Sequence, residues 1–350
     1  MSRKVVVRLI ILVLIVGIIV VVAVETQRWQ ATSGKLKIQI LGGLQGVDNL
    51  NQRIEGFKEA ASHRQIEFVK TLFNEENPNK SLNDCENALK AHPGLAGFFA
   101  SNAFGGPGAA GAIGNAIKLG ELEKGRVHVV AFDTTEDILN AVDAGLIDCT
   151  LAQNTQEMGR LSVEKLAELA KAYKKNKAFE RPAKGKDIID TGVTLVWPRD
   201  VPQYRRKPSP KRTVPADAPG LLRFALVPKS IGHPYWEGVR EGMEAAAAKL
   251  GVKAVFTGPP EASPDEQIKI IEDFITKGYD GIGISPNDKD SVKGVIQRAM
   301  AKGIAVVTFD SDSPDSERLM YIGTDNRGAG RVAGKAMLKV LGLSGASEEK

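Results

Sequence analysis

At 350 residues, 43% hydrophobic and 25% charged, the chain carries enough apolar surface for two globular domains with separate cores, which excludes the disordered and fibrous classes. The net charge of +5 does not mark a nucleic-acid binder: Arg205, Arg206, Lys207, Lys211 and Arg212 in one Pro-containing run account for it, and no basic helix with interleaved aromatics accompanies them. With four histidines, no metal-spaced His/Cys set, no Ser/His/Asp arrangement and no Walker pattern, the chain offers little for catalysis, and neither an enzyme nor a cofactor is expected.

Residues 1–30 carry Arg3, Lys4 and Arg8 ahead of an uncharged apolar stretch at 9–24, the pattern of an export signal or a membrane anchor. The basic end faces the cytoplasm in such a segment, which sends everything after Gln27 outside. The stretch is longer than most signal-peptide cores and shorter than most spanning helices, so cleavage after Ala23 stays open. Cys85 and Cys149 fall in a predicted helix and a predicted strand and read as two separate buried thiols.

Over 35–198, short apolar runs alternate with amphipathic segments. Strands are predicted at 36–41, 66–72, 97–100, 127–132, 149–152 and 192–197. Helices are predicted at 48–62, 81–91, after Pro107, at 136–144 and at 158–171. Residues 199–220 are rich in Pro, Lys and Arg without an apolar period, which marks a linker. The pattern restarts over 221–345, with strands at 223–227, 252–256, 281–284, 304–309 and 319–322 and helices beginning near Pro234, Pro264, Asp288 and Asn326. The fold class is therefore α/β, two doubly wound parallel-sheet lobes.

The halves echo each other. VVAFDTT at 129–135 matches VVTFDSD at 306–312, so Asp133 and Asp310 each follow a fully apolar strand. In open parallel sheets ligands bind beyond the carboxyl ends of the strands. A carboxylate there accepts hydrogen bonds from ligand hydroxyls, although Asp also commonly caps a following helix; the duplication favours the ligand role. Asn102 and Gln153 end strands in the same way, with an Asx-turn and a plain surface position as their alternatives. His233, Tyr235 and Trp236 open a helix after the strand FALV, where one ring is expected to face a ligand and the other the core. Arg53, on the first helix of its half, reads as solvated by its position alone. The loop LGGLQG at 41–46 lacks the GxGxxG spacing of a dinucleotide site.

The stretches FALVPKSIGHPYWEGVREGMEAAAAKLGV, GIGISPND, IAVVTFDSD and YIGTDNRGAGRVAG resemble the first lobe of the periplasmic sugar-binding proteins of ABC transporters, the ribose-binding-like type I group. NQRIEGF, AHPGLAGFFASNA, VVAFDTT and TLAQNTQEMG resemble that family's second lobe. The resemblance implies a three-stranded hinge, a cleft closing on a monosaccharide, and delivery to an ABC permease or signalling to another membrane partner. Carried over by motif, the pocket residues are Arg53, Asn102, Asp133 and Gln153 from one lobe and His233, Tyr235, Trp236 and Asp310 from the other. Two positions depart from the pattern: Ser311 stands where many relatives have Arg, and an aromatic usual in the other lobe falls in the polar stretch 74–77. The first departure and the second both count against ribose itself, and Phe104 is a candidate replacement ring, its alternative being to pack under the Gly-rich turn.

The order of the lobes is inverted relative to the family. A circular permutation with 199–220 joining the old ends is one explanation, and a fragment of a tandem array, each half pairing with a missing partner, is the other.

Overall fold

The computed structural model describes residues 34–183, 185–205 and 220–343. The apolar N-terminal stretch and residues 206–219 of the basic run lie outside these. Among the described residues no helix is long and apolar enough to cross a membrane.

Two sheets organise the chain. The first is built from β1 (Leu36–Gly42), β2 (Ile66–Phe68), β3 (Leu72–Phe73), β4 (Leu95–Ala100), β5 (His128–Phe132) and β6 (Cys149–Gln153). β7 (Ile188–Asp190) joins the other sheet, and β8 (Val193–Val196) returns to this one. The order is β2-β1-β4-β5-β6-β8, with β3 also on β1, and every pair is parallel except β6 with β8. The second sheet holds β9 (Arg223–Val227), β10 (Lys253–Phe256), β11 (Gly281–Ile284), β12 (Ala305–Phe309) and β13 (Met320–Gly323). Its order is β10-β9-β11-β12-β13-β7, parallel throughout.

Central strands such as β4, LAGFFA, are apolar and buried along their whole length because helices cover both faces of the sheet. One face of the first sheet packs on α1 (Asp48–Ala60) and, from the far end of the chain, α10 (Asn326–Val340). The other face packs on α2 (Pro78–Ala91), α3 (Gly105–Lys118) and α4 (Glu136–Asp143). The second sheet is covered by α5 (Thr155–Asn176), α7 (Tyr235–Leu250), α8 (Pro264–Thr276) and α9 (Lys293–Ala301). Asn77, Ser263 and Asp325 cap α2, α8 and α10 with side-chain oxygens, and Pro follows directly in the first two.

Each lobe thus borrows from the other half of the chain. Among the described residues the chain passes between lobes from β6 into α5, from β7 into β8, and from β13 into α10, so three connections run side by side. Helices from opposite halves pair twice, α1 with α10 and α5 with α7, and glycine permits both approaches. A Cβ on Gly56 would overlap the carbonyl oxygen of Arg327 and one on Gly330 that of Arg53; Gly242 and Gly159 stand in the same relation to Gln156 and Val239. Near the two limits of the described residues, Leu36, Leu341 and Leu343 pack against one core cluster.

The single strand expected at 66–72 is broken into β2 and β3, and the three-residue β7 had no apolar run to announce it. The expected linker begins with structure: Pro198–Asp200 forms a 3-10 turn leading into α6 (Val201–Tyr204). Val201 is fully buried and Arg205 binds Glu136 and Asp143 at 2.6 Å each, which anchors the start of a segment whose composition reads as solvated. The helix expected near Asp288 begins at Lys293, because Asp288 closes an Asx-turn onto the amides of Asp290 and Ser291. Cys85 and Cys149 are free and buried.

Candidate binding cleft between the lobes

Asp133 and Asp310 extend β5 and β12 by one residue, and the chain handles them alike. Their backbone N–H groups continue the ladder onto Leu151 and Ile322 of the neighbouring strands, at 2.8 and 3.1 Å. Their carbonyls accept hydroxyl protons from Thr150 and Tyr321, at 2.7 and 2.9 Å. Both then turn into the left-handed region, φ 76° and 59°, a conformation that costs energy for a residue with a Cβ and that Asp tolerates better than most. Neither carboxylate caps a helix: Thr135 stands at the N-cap of α4 without a side-chain cap, and Asp310 is occupied elsewhere. Both line one cavity.

Arg53 projects from α1 into this space and is 2% exposed, not solvated. Its guanidinium donates to Asn326 Oδ1 at 2.8 Å, the Ser101 carbonyl at 3.0 Å and Gln153 Oε1 at 2.7 Å, and it lies 4.4 Å over the Phe132 ring. Gln153, at the end of β6, relays the contact by donating from Nε2 to Asp133 Oδ1 at 2.8 Å, while its Oε1 also accepts from Thr324 of the third connection at 3.1 Å. Arg53 and Gln153 therefore tie the connections between lobes to the floor of the cleft. Burial lifts Asp133 above the usual carboxylate range despite the neighbouring Arg53 and the bond from Gln153.

On the opposite wall Tyr235 donates to Asp310 Oδ1 at 2.7 Å, and Ser285 and Lys229 donate to Oδ2 at 3.0 and 3.2 Å. Burial alone would raise Asp310, yet Lys229, Arg53 and these donors outweigh it and hold the carboxyl below its usual range. Tyr235, by contrast, is pushed well above its ordinary value by burial and by Asp310, so it remains a phenol. Trp236 meets Tyr235 edge to face at 4.9 Å and Phe309 at 6.2 Å; it belongs to the core and also lines the cavity, so both rings reach the cleft.

The Phe104 and His233 rings approach to 4.7 Å across the lobes, edge to face. Phe104 therefore meets the other lobe. Burial lowers His233 to about 4, so its ring is neutral at neutral pH, with Nδ1 accepting from the Tyr235 N–H at 3.1 Å. Asn102 lines the cavity, but its amide is committed: it exchanges hydrogen bonds with Asn74 at 3.0 and 3.2 Å and accepts from the Gly105 N–H at 3.1 Å. An Asx-turn onto Gly105, with Asn74 opposite, holds this amide in the cavity wall.

Sequence reasoning missed Lys229, Asn49, Ser230 and Glu76, which line the same cavity. Lys229 is buried, approaching Asn49 Oδ1 across the cleft at 3.4 Å, and its carbonyl is held by Asn287 Nδ2 at 3.0 Å. Asn287 is in turn held through its N–H by the fully buried Gln267 of α8. A lysine after a strand reads as solvated, and only the far residues reveal otherwise.

The profile of a family described as a periplasmic binding protein domain matches residues 28–175 and 224–347. The D-allose-binding periplasmic protein of Escherichia coli (strain K12) is 29% identical over 131 residues, 35% of this chain and 42% of that protein. The ribose import binding protein of the same strain is 28% identical over 130 residues, 37% and 44% of the two. The chain thus spans less than half the length of either curated relative. The crystal structure of an ABC transporter solute-binding protein from Burkholderia graminis, in complex with D-arabinose, has a TM-score of 0.58 and covers 90% of this chain and 92% of that one at 14% identity, a likeness of fold. With both halves matched, the chain belongs to the periplasmic binding protein domain family.

Proposed function

We propose that this protein captures a small sugar between its lobes, outside the cytoplasm, and hands it to an ABC-type importer. The observation that carries the reading is the convergence of two strand-tip carboxylates, one from each half of the chain, on one cavity with Arg53, Gln153, Lys229 and Tyr235. Sugar hydroxyls donate to Asp133 and accept from Lys229, and the C–H faces of the ring stack on Trp236, Tyr235 or Phe104. The relatives' names point the same way, to D-allose, ribose and D-arabinose. The ligand-binding set is Arg53, Asn102, Phe104, Asp133, Gln153, His233, Tyr235, Trp236 and Asp310, with Asn102 shaping the wall. These groups bind without turnover, and residues 1–30 export or anchor the protein. Calorimetric titration of the full-length protein with pentoses, hexoses and inositols tests the reading: one saturable site is expected, and no binding by any of them, amino sugars included, contradicts it.

We further propose that the chain is a circular permutation of the family order, with residues 35–198 as the family's second lobe, 221–345 as its first, and 199–220 as the join. Supporting this, the two halves complete each other's sheets and helix layers, and Leu36 and Leu343, near the two limits of the described residues, pack on one cluster. A chain rebuilt to run from 220 to 343 and then from 35 to 198, without the join, is expected to fold and bind the same sugar with unchanged affinity. Failure of that chain to fold, with the original order folding normally, contradicts the permutation.

A further inference from the structure

The cavity holds more negative charge than its own cations balance. Glu76, Asp133 and Asp310 line it against Arg53 and Lys229, a formal charge of −1, and the one histidine there, His233, is kept neutral by burial. The cations are also committed. Arg53 spends its guanidinium on Asn326, Ser101 and Gln153, and Lys229 lies between Asp310 and Asn49. Among the carboxylates only Asp310 is fully engaged. Asp133 accepts from Gln153 through one oxygen, and among the described residues nothing donates to the Glu76 carboxylate.

Glu76 is nevertheless held in place. Glu75 and Glu76 both adopt the left-handed conformation, φ 56° and 54°, which two successive residues with side chains take up only when the surroundings impose it. The surroundings are Gly43, whose carbonyl accepts from the Glu75 N–H at 3.2 Å, and Asn74, whose side chain accepts from the Glu76 N–H at 3.0 Å while also binding Asn102. The loop after β3 thus stores strain to present an acid to the cleft at the stretch where the sequence lacks the expected aromatic ring. Glu76 feels Lys229, Asp310 and Asp133, so all three acids share one electrostatic space, and burial lifts Glu76 above the ordinary carboxylate range.

Resting on the reading of this cleft as a sugar site, we propose that Glu76 selects a sugar bearing a protonated amine, an amino sugar rather than a neutral monosaccharide. The ammonium group supplies the missing positive charge and donates up to three hydrogen bonds, to Glu76 and to the free oxygen of Asp133. The neutral hydroxyls of the same ring meet the residues already assigned to them.

Titration of the full-length protein with glucosamine, galactosamine and mannosamine, beside the matching neutral hexoses and N-acetylated hexosamines, tests this at a pH where the amine is protonated. Tighter binding of one amino sugar, by roughly tenfold or more over both its neutral and its N-acetylated counterparts, is expected. Glu76→Gln is expected to erase that preference. A neutral or N-acetylated sugar that binds as tightly as its amine, or a preference that survives Glu76→Gln, overturns the selectivity and leaves the sugar-binding reading standing. Absence of binding by every sugar overturns both. The N-acetyl series uses the unaltered chain, so the result does not depend on how the variant folds.

Discussion

The two strand tips share a backbone and differ in their surroundings. Asp310 receives Tyr235, Ser285 and Lys229, whereas among the described residues Asp133 receives Gln153 alone. The same left-handed turn therefore serves two ends: one carboxylate is wired into its lobe and keeps Lys229 and Tyr235 in place, and the other is left with an open acceptor. A buried carboxylate is stable when donors surround it, and one that keeps an open oxygen can accept a hydrogen bond from a ligand. On the proposed reading the cleft divides those tasks between its walls.

Breaking the wired side has the largest expected effect. Asp310→Ala strands Lys229 as an uncompensated buried charge and should cost about 3–5 kcal/mol, read by urea denaturation. A loss under about 1 kcal/mol would show that Lys229 finds another partner and that the two tips are energetically alike.

The next effect comes from His233 on the same wall. Its folded value of about 4 lies below the model-peptide 6.5, so the unfolded chain takes up the proton first as pH falls. Its contribution is fully present above pH 6.5 and declines towards pH 4, by on the order of 2–3 kcal/mol. His233→Phe should flatten that part of the stability profile measured by denaturation at a series of pH values, and an unchanged slope would place the acid sensitivity elsewhere.

The open side should respond least, and in the opposite direction. Because the folded value of Asp133 is raised, its ionised form is disfavoured by folding; stability is present below the unfolded value and lost as pH rises through the folded one. Asp133→Asn should therefore leave stability at pH 7 unchanged or raise it by about 1 kcal/mol, while lowering sugar affinity roughly tenfold in calorimetry. Destabilisation together with unchanged affinity would reverse the assignment of roles.

Much of this arrangement is legible in the chain. The alternation of apolar runs and amphipathic segments gives both sheets, and VVAFD and VVTFD place one carboxylate at each tip because a buried strand must end in something polar where it meets a cleft. Arg53 is found only through the resemblance, since an arginine on a helix otherwise looks solvated until Asn326, 273 residues away, comes to meet it. Lys229 escapes for the same reason, its partners being Asp310 and Asn49. β7 is too short to show a period, and α6 hides in a run whose charge suggests solvent although Val201 is buried. The positive φ of Glu76 has no glycine to signal it; hydrogen bonds from the Glu75 N–H to the Gly43 carbonyl and from the Glu76 N–H to the Asn74 side chain impose it.

The two halves are proposed to share one sugar-binding cavity, and Trp236, which lines it from the core side, reports on that directly. Titrating the full-length protein with neutral and amino sugars should give a saturable change in tryptophan emission at one sugar per chain, absent from Trp236→Phe. An emission spectrum that stays the same across the whole panel would contradict it.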